Sequence, residues 1–272
     1  MIKVGYLGYS ERMLLNLVNN KDFELCFAIG KSGRISYDYR TIVASHGINY
    51  IEINNKKELL QQTDLFKTVD VILMYKFEFI LPASIVDNYR VINFHGGDLH
   101  TNRGAHAVVW TILLQEPSTC LSCYQLTGGI DEGLLINQYN VDVFETDTPH
   151  ELNCRLMDGI PSLLKDVVAF LSGDKKAVAI TGGTYRKKIT EADYTIDLEN
   201  DGIRTIRGKI NSQKHFNGAV IRYLGKEYRA KEYYACKEPA INNEKEISFS
   251  NNEFVVFRDS LALHILVSES VL

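Results

Sequence analysis

Up to residue 95 the chain repeats one unit: a short apolar run, a turn, then a helix-compatible stretch. IKVGYLG, FELCFAIG, INYIEI, VDVILMY and RVINFH read as strands, and ERMLLNLVNN, SYDYRTIVASHG, KKELLQQ and LPASIVDN read as the helical segments between them. Strands that alternate with helices in this way pair in parallel, because a helix has to carry the chain back before the next strand begins. The expected fold class is therefore α/β: a Rossmann-like, mostly parallel sheet with helices on both faces. Ligands on such sheets sit beyond the carboxyl ends of the strands, near the switch in strand order.

After this region come a helical AHAVVWTILLQ, strand-like TCLSCYQL and LLINQYNVDV, and one long amphipathic helix expected from Pro149 to Ser172. The acid-rich TDTPHE supplies its start, and Leu152, Leu156, Ile160, Leu163 and Leu164 recur near a period of 3.6. Beyond Gly173 a polar connector leads to a short helix. FNGAVIRYLGKEYRAKEYYA then reads as a hairpin across Gly225-Lys226, followed by the short strands EISFS, NEFVVFR and LALHILVS. The expected division is a catalytic domain over residues 1–180 and a small β-rich domain over residues 181–272.

A hydrophobic content of 45% over 272 residues fills a proper core. The opening MIKVGYLGYS lacks the pattern of a secretory signal, and no stretch approaches the roughly 20 apolar residues of a spanning helix, so a cytoplasmic location without membrane association is expected. An odd number of cysteines, five, suits reduced thiols, and Cys120-Leu-Ser-Cys123 has no second pair to complete a zinc site. The net charge of −4 speaks against a polyanionic partner. It is uneven, however: eight basic residues lie between Arg204 and Lys231 against one acid, Glu227. That stretch reads either as a phosphate-facing surface or as a solvated face balanced by acids such as Asp197, Glu199 and Asp201.

GYLGYS invites a dinucleotide-loop reading, but Gly5 and Gly8 are spaced G-x-x-G without a third glycine, and Lys31 stands where a ribose-binding acid is needed. VINFHGGDLHTNRGAHAVVWTIL is more informative. Asn93 and His95 are two apart on a strand, so both leave the same face just before the chain breaks at Gly96-Gly97. A carboxamide can donate to a developing oxyanion and an imidazole can move a proton near neutrality, which are two parts of an acyl-transfer site. In TGGIDEGLLI, glycines bracket Asp131 in a turn that can aim its carboxylate at a neighbouring strand end. Taken singly, each of these residues also has an ordinary structural reading.

Taken together, Asn-x-His at a strand end, a following Arg-Gly, a helix beginning in a small residue, and Gly-Ile-Asp-x-Gly before an apolar strand resemble the folate-dependent formyltransferase family. The resemblance is strongest over residues 65 to 145 and includes VDVILMYKFEFILPASIVDNYRVINFH. It implies direct transfer from N10-formyltetrahydrofolate without a metal. Asn93 would stabilise the oxyanion, His95 would transfer the proton, and Asp131 would orient the histidine. A folate pocket is implied at Phe79, Ile80, Leu81 and Pro82, with Thr127, Gly128 and Gly129 across the cleft. Gly97 to Asn102 depart from the family's usual Leu-Pro before Arg-Gly, which bears on the acceptor. His100 and His106 read as acceptor contacts or as surface residues.

Within that family the chain most resembles enzymes that formylate nucleotide-linked amino sugars. These join the catalytic domain to a compact β appendage through a connector like TGGTYRKKITEADYTIDL. The implied acceptor is a nucleotide-linked 4-amino-4,6-dideoxy sugar such as dTDP-4-amino-4,6-dideoxyglucose, used for O-antigen or other lipopolysaccharide synthesis. Lys76, Arg103, His106 and Lys187 are the expected sugar-nucleotide contacts, no nucleic acid partner is expected, and a homodimer is. Methionyl-tRNA formyltransferase and a non-catalytic nucleotide-binding module on the same fold are the alternatives.

Overall fold

The computed structural model describes residues 1–128, 133–237, 247–258 and 261–269. The chain forms two compact units. The first comprises Met1–Gly104, Cys120–Val141 and Arg155–Tyr185; the second comprises Ala105–Thr119, Asp142–Cys154 and Arg186–Leu272. In place of the single cut expected at 180/181, two short segments from the middle of the chain belong with the C-terminal part.

The first unit is built on β1 (Ile2–Gly8), α1 (Glu11–Val18), β2 (Phe23–Lys31), α2 (Tyr37–Ser45), β3 (Asn49–Ile53), α3 (Lys56–Leu60), β4 (Val71–Tyr75) and β5 (Val91–His95). Its sheet continues, after α4 (Ala107–Leu114), with β6 (Ser118–Leu126), β7 (Gly133–Asp142) and, after α5 (Pro149–Met157) and α6 (Ile160–Ser172), with β8 (Val178–Ala179). The strand order is β3-β2-β1-β4-β5-β6-β7-β8. β1 to β5 pair in parallel, and β6 joins β5 antiparallel. The mostly parallel α/β sheet expected from the alternation is present.

Local chemistry starts the helices where the sequence places them. Ser10, Ser36 and Asn55 each accept the backbone N–H three residues on, from Met13, Tyr39 and Glu58, and so satisfy one donor that the first turn leaves open. One face of the sheet packs Leu7, Phe27, Ile29, Ile72 and Met74 against Leu59, Phe66 and Ile85. On the other, Tyr6 stacks at 6.5 Å on Tyr39 of α2, and its hydroxyl donates to the Tyr75 carbonyl at 3.2 Å. Each such large apolar side chain removed from water contributes about 1.5–3 kcal/mol.

The glycines of GYLGYS serve this packing. A Cβ on Gly5 would stand 2.1 Å from the Phe27 ring, and one on Gly8 2.0 Å from the Tyr75 carbonyl oxygen. The expected helix from Pro149 to Ser172 is corrected: α5 ends at Met157 and α6 begins at Ile160. Pro161 has no N–H for the Met157 carbonyl and its ring would press on that group, so a continuous helix fails there. The chain breaks at Gly159, where a Cβ would lie 2.3 Å from the Tyr139 ring.

In the second unit, β9 (Thr195–Ile196), α7 (Ile203–Gln213), β10 (Ala219–Tyr223), β11 (Lys226–Lys237), β12 (Ile247–Ser250), β13 (Glu253–Arg258) and β14 (Leu261–Glu269) form a six-stranded sheet ordered β9-β10-β11-β14-β13-β12, with one helix. Ile206 and Ile210 of α7 share its core with Ile221, Tyr228, Phe254 and Leu263. The hairpin turns one residue earlier than expected. Tyr223 pairs with Lys226, and Leu224 and Gly225 form the two-residue turn with φ of 48° and 77°. The basic stretch is largely neutralised in place: Arg207 pairs with Glu145, Lys209 with Asp201, Lys214 with Glu232, Lys226 with Glu269, and Arg222 and Arg229 with Glu191 and Glu227. Among the described residues no helix is long and apolar enough to cross a membrane.

Candidate active site

β5 ends the parallel run at the sheet's switch to antiparallel pairing, with Val91 to Phe94 buried and His95 half-buried. Asn93 and His95 leave the same face of the strand. Asn93 is 8% exposed and lies opposite Tyr124 of β6, which is wholly buried. Its amide Nδ2 donates to the Tyr124 hydroxyl at 2.7 Å. A buried amide left without partners costs about 1–3 kcal/mol. The Tyr124 bond offsets part of that cost, fixes the amide plane and occupies one of its two N–H groups.

His95 Nε2 lies 2.8 Å from the Asn102 carbonyl oxygen. A carbonyl only accepts, so Nε2 carries the hydrogen of this bond. The position of Asn102 follows from the loop before it. Its N–H donates to the Asp98 carbonyl at 2.7 Å, as does that of Thr101 at 3.2 Å, and the His100 N–H donates to the Asp98 carboxylate at 2.9 Å. Gln138 of β7 donates to that carboxylate at 3.2 Å and to the Ser122 hydroxyl at 3.1 Å. Ser122, buried opposite His95 on β6, donates to the Gly97 carbonyl at 2.7 Å. Two neighbouring strands thus hold the loop, and the loop holds the imidazole.

Asp131 and Gly129 lie outside the described residues. Thr127 and Gly128 are exposed and follow Leu126, which packs on the same apolar cluster as Leu81, Phe77 and Phe79. The folate residues expected on the two sides of the cleft therefore spring from one piece of core. Phe77 and Phe79 meet edge to face at 5.6 Å, Ile80 is 57% exposed, and the Pro82 carbonyl accepts the N–H groups of Ile85 and Val86 to start a short helix.

Lys76 has φ of 53°, and its ammonium lies 5.5 Å from the Tyr75 ring. Arg103 donates its backbone N–H to the Thr184 carbonyl at 3.1 Å and its guanidinium to the Gly182 carbonyl at 2.5 Å, so TGGT is seated against the loop that follows His95. His106 and Lys187 belong to the second unit. Burial, and then the charge of Lys188, hold the His106 imidazole below its usual pKa. Lys187 pairs with Asp193 at 2.9 Å, and its carbonyl accepts the indole N–H of buried Trp110 at 2.8 Å.

Among the described residues no three His, Cys, Asp or Glu side chains are grouped to hold a metal. Cys120 and Cys123 are both buried on β6 and free, and burial raises the Cys120 thiol to about 11. A cavity of about 610 Å³ lies within the second unit, lined by Ile112, Phe144, Glu145, Arg204, Arg207 and Asn211 among others; neither Asn93 nor His95 borders it. Tyr124, Ser122 and Gln138 were not anticipated from the sequence. The antiparallel register is the signal that finds Tyr124 and Ser122, since it sets Tyr124 against Asn93 and Ser122 against His95.

Residues 43–168 match the formyl transferase family. The methionyl-tRNA formyltransferase of Rickettsia bellii is 25% identical over 189 residues, which are 66% of this chain and 62% of that enzyme. The chain therefore spans less than two thirds of the curated relative it matches. Among solved structures, WlaRD, a sugar 3N-formyl transferase solved in the presence of dTDP and 5-N-formyl-THF, superposes with a TM-score of 0.73 at 15% identity. That match covers 100% of this chain and 99% of WlaRD. A sugar N-formyltransferase from Shewanella sp. FDAARGOS_354 superposes with a TM-score of 0.65 at 21% identity, over 84% of this chain and 95% of that one. The strand-end asparagine and histidine and the switch in sheet pairing fall within residues 43–168, the stretch over which this chain matches the formyl transferase family.

Proposed function

We propose that this protein transfers a formyl group from N10-formyltetrahydrofolate to the primary amine of a nucleotide-linked amino sugar, with dTDP-4-amino-4,6-dideoxyglucose as the first candidate acceptor, for surface polysaccharide synthesis. The observation that carries the acceptor class is the end-to-end correspondence with a sugar N-formyl transferase, which leaves almost nothing over on either chain. When bound, the folate supplies the formyl carbon. The protein supplies an amide donor and a base at one strand end. The Asn93 N–H not used by Tyr124 donates to the charge that develops on the formyl oxygen. His95 takes the proton lost by the amine and returns it to the folate N10 as the bond from N10 to the formyl carbon breaks, so that tetrahydrofolate leaves. Asp131 is assigned the orienting carboxylate. Lys76 and Arg103, both of the first unit, are assigned to the acceptor diphosphate, where planar and point-charge donors suit phosphate oxygens. The ion pair with Asp193 leaves Lys187 without such a role in this proposal.

Methionyl-tRNA is the second reading, favoured by the sequence match to the Rickettsia enzyme. The ion pairs along the basic stretch from 204 to 231 oppose it, because charges already matched by carboxylates release fewer counterions from RNA. The two readings separate in one assay: tetrahydrofolate release followed with the nucleotide sugar or with methionyl-tRNA as the only acceptor. Release with the sugar alone supports the proposal, and release with the tRNA alone reverses the two readings.

A further inference from the structure

Formyl transfer makes no use of a cluster on the sheet of the second unit. Tyr234 and Cys236 are two residues apart on β11 and share a face, and Tyr234 stands opposite His264 of β14. Leu263 and Ile265 turn into the core, so His264 between them turns away from it. Glu253, two residues before the Val255 that pairs with His264, lies on the same outward row. Within this row Cys236 Sγ is 3.4 Å from His264 Nε2, and His264 Nδ1 is 2.9 Å from Glu253 Oε1. The Tyr234 hydroxyl donates to that same oxygen at 2.7 Å, and its ring lies flat on the imidazole, 4.4 Å away and 11° from parallel.

This is the order of a nucleophile, a base and an orienting carboxylate. The carboxylate and the face of the tyrosine ring both stabilise a positively charged imidazole, which can then donate from Nε2 to a sulfur anion. Hydrogen bonds from Tyr234 and then His264 hold the Glu253 carboxyl below its usual range. The His264 side chain is 16% exposed, while Cys236 is partly exposed and Tyr234 is 49% exposed.

We propose that Cys236 is a modification site: a thiolate paired with protonated His264 that takes up a low-molecular-weight disulfide by exchange. The Cys236 sulfur attacks one sulfur of the disulfide, a new S–S bond forms as the old one breaks, and the departing thiolate takes the Nε2 proton of His264 and leaves as a thiol. One sulfur is oxidised and one reduced, so no further reagent is needed.

The test is the rate at which each cysteine of the full chain forms a mixed disulfide with oxidised glutathione, read by peptide mass mapping. Cys26, which burial pushes above the usual thiol pKa, serves as the internal reference. At about pH 6 Cys236 should react at least about tenfold faster than Cys26, and His264→Gln should remove that advantage while the circular dichroism stays native. Tyr234→Phe, which keeps the stacked ring, should retain most of it. Equal rates at Cys236 and Cys26 in the unmodified chain, or an undiminished rate in folded His264→Gln, would overturn the proposal. Should His264→Gln fail to fold, the wild-type pH profile decides: a rate that holds up below pH 7 supports the pair, and one that rises steadily through about pH 8.5, as for a free thiol, refutes it.

Discussion

The Asn93 amide donates to the Tyr124 hydroxyl at 2.7 Å across two paired strands, so the group proposed to meet the formyl oxygen is aimed by a wholly buried phenol. Tyr124→Phe keeps the ring and removes the hydroxyl that accepts from Asn93. We expect a fall in kcat of about tenfold with KM little changed, as for an interaction that acts on the transition state. Stability should drop by about 1 kcal/mol. Steady-state kinetics and denaturant melts check the two parts separately.

His95→Asn removes the base and leaves the strand end polar. Turnover should fall by roughly 10² to 10⁴, the range ascribed to a positioned acid or base, while folate affinity stays as in the wild type. Isothermal titration with 5-formyltetrahydrofolate beside single-turnover rates makes the comparison. Lost affinity together with lost turnover would assign His95 to binding.

Ser122 and Gln138 hold the loop that carries Asn102, and through it His95. Ser122→Ala leaves the buried Gly97 carbonyl without its donor, and kcat should fall several-fold as the Asn102 carbonyl drifts from the imidazole. Gln138→Glu sets a second carboxylate beside Asp98 and should have a larger effect, one that eases as the pH is lowered and the pair takes up a proton. A pH–rate profile of both variants tests this coupling.

Much of this site was legible in the residues, for reasons that also mark where legibility ends. Alternation of apolar runs with helical stretches settles a parallel sheet whatever the loops do, and a two-residue spacing puts Asn93 and His95 on one face of any strand. Tyr124, Ser122 and Gln138 were hidden because they depend on which strand lies beside β5 and in what register, a property of the assembled sheet. The break at Gly159 was missed because leucine periodicity runs straight across it. Pro161 was a local signal, but the contact of Gly159 with Tyr139 is tertiary. The hairpin shifted by one residue because Leu224 adopts a left-handed φ more usual for asparagine or glycine.

That contact makes its own prediction. Gly159→Ala forces a methyl into the Tyr139 ring, and overpacking of this kind costs about 1–3 kcal/mol. The thermal midpoint should fall, and Tyr139→Ala in the same chain should restore part of the loss, which a double-mutant cycle measures.

In the second unit, burial would raise the Asp193 carboxyl, but hydrogen bonds from Lys187 and from the Thr190 backbone and hydroxyl outweigh it, so its pKa is depressed. A depressed carboxylate contributes stability that is present above the unfolded value of about 3.9 and is lost as the pH falls through the folded one. Asp193→Asn should therefore melt about 2–4 °C lower at neutral pH, and the gap should close below about pH 4. Melting curves of both proteins across that range provide the check.

The account rests on the acceptor, and the mass of the acceptor tests it. Incubation of the protein with N10-formyltetrahydrofolate and dTDP-4-amino-4,6-dideoxyglucose, with methionyl-tRNA in a parallel reaction, should add the mass of one CO to the nucleotide sugar and leave the tRNA unchanged. An unchanged sugar beside formylated methionyl-tRNA would contradict it.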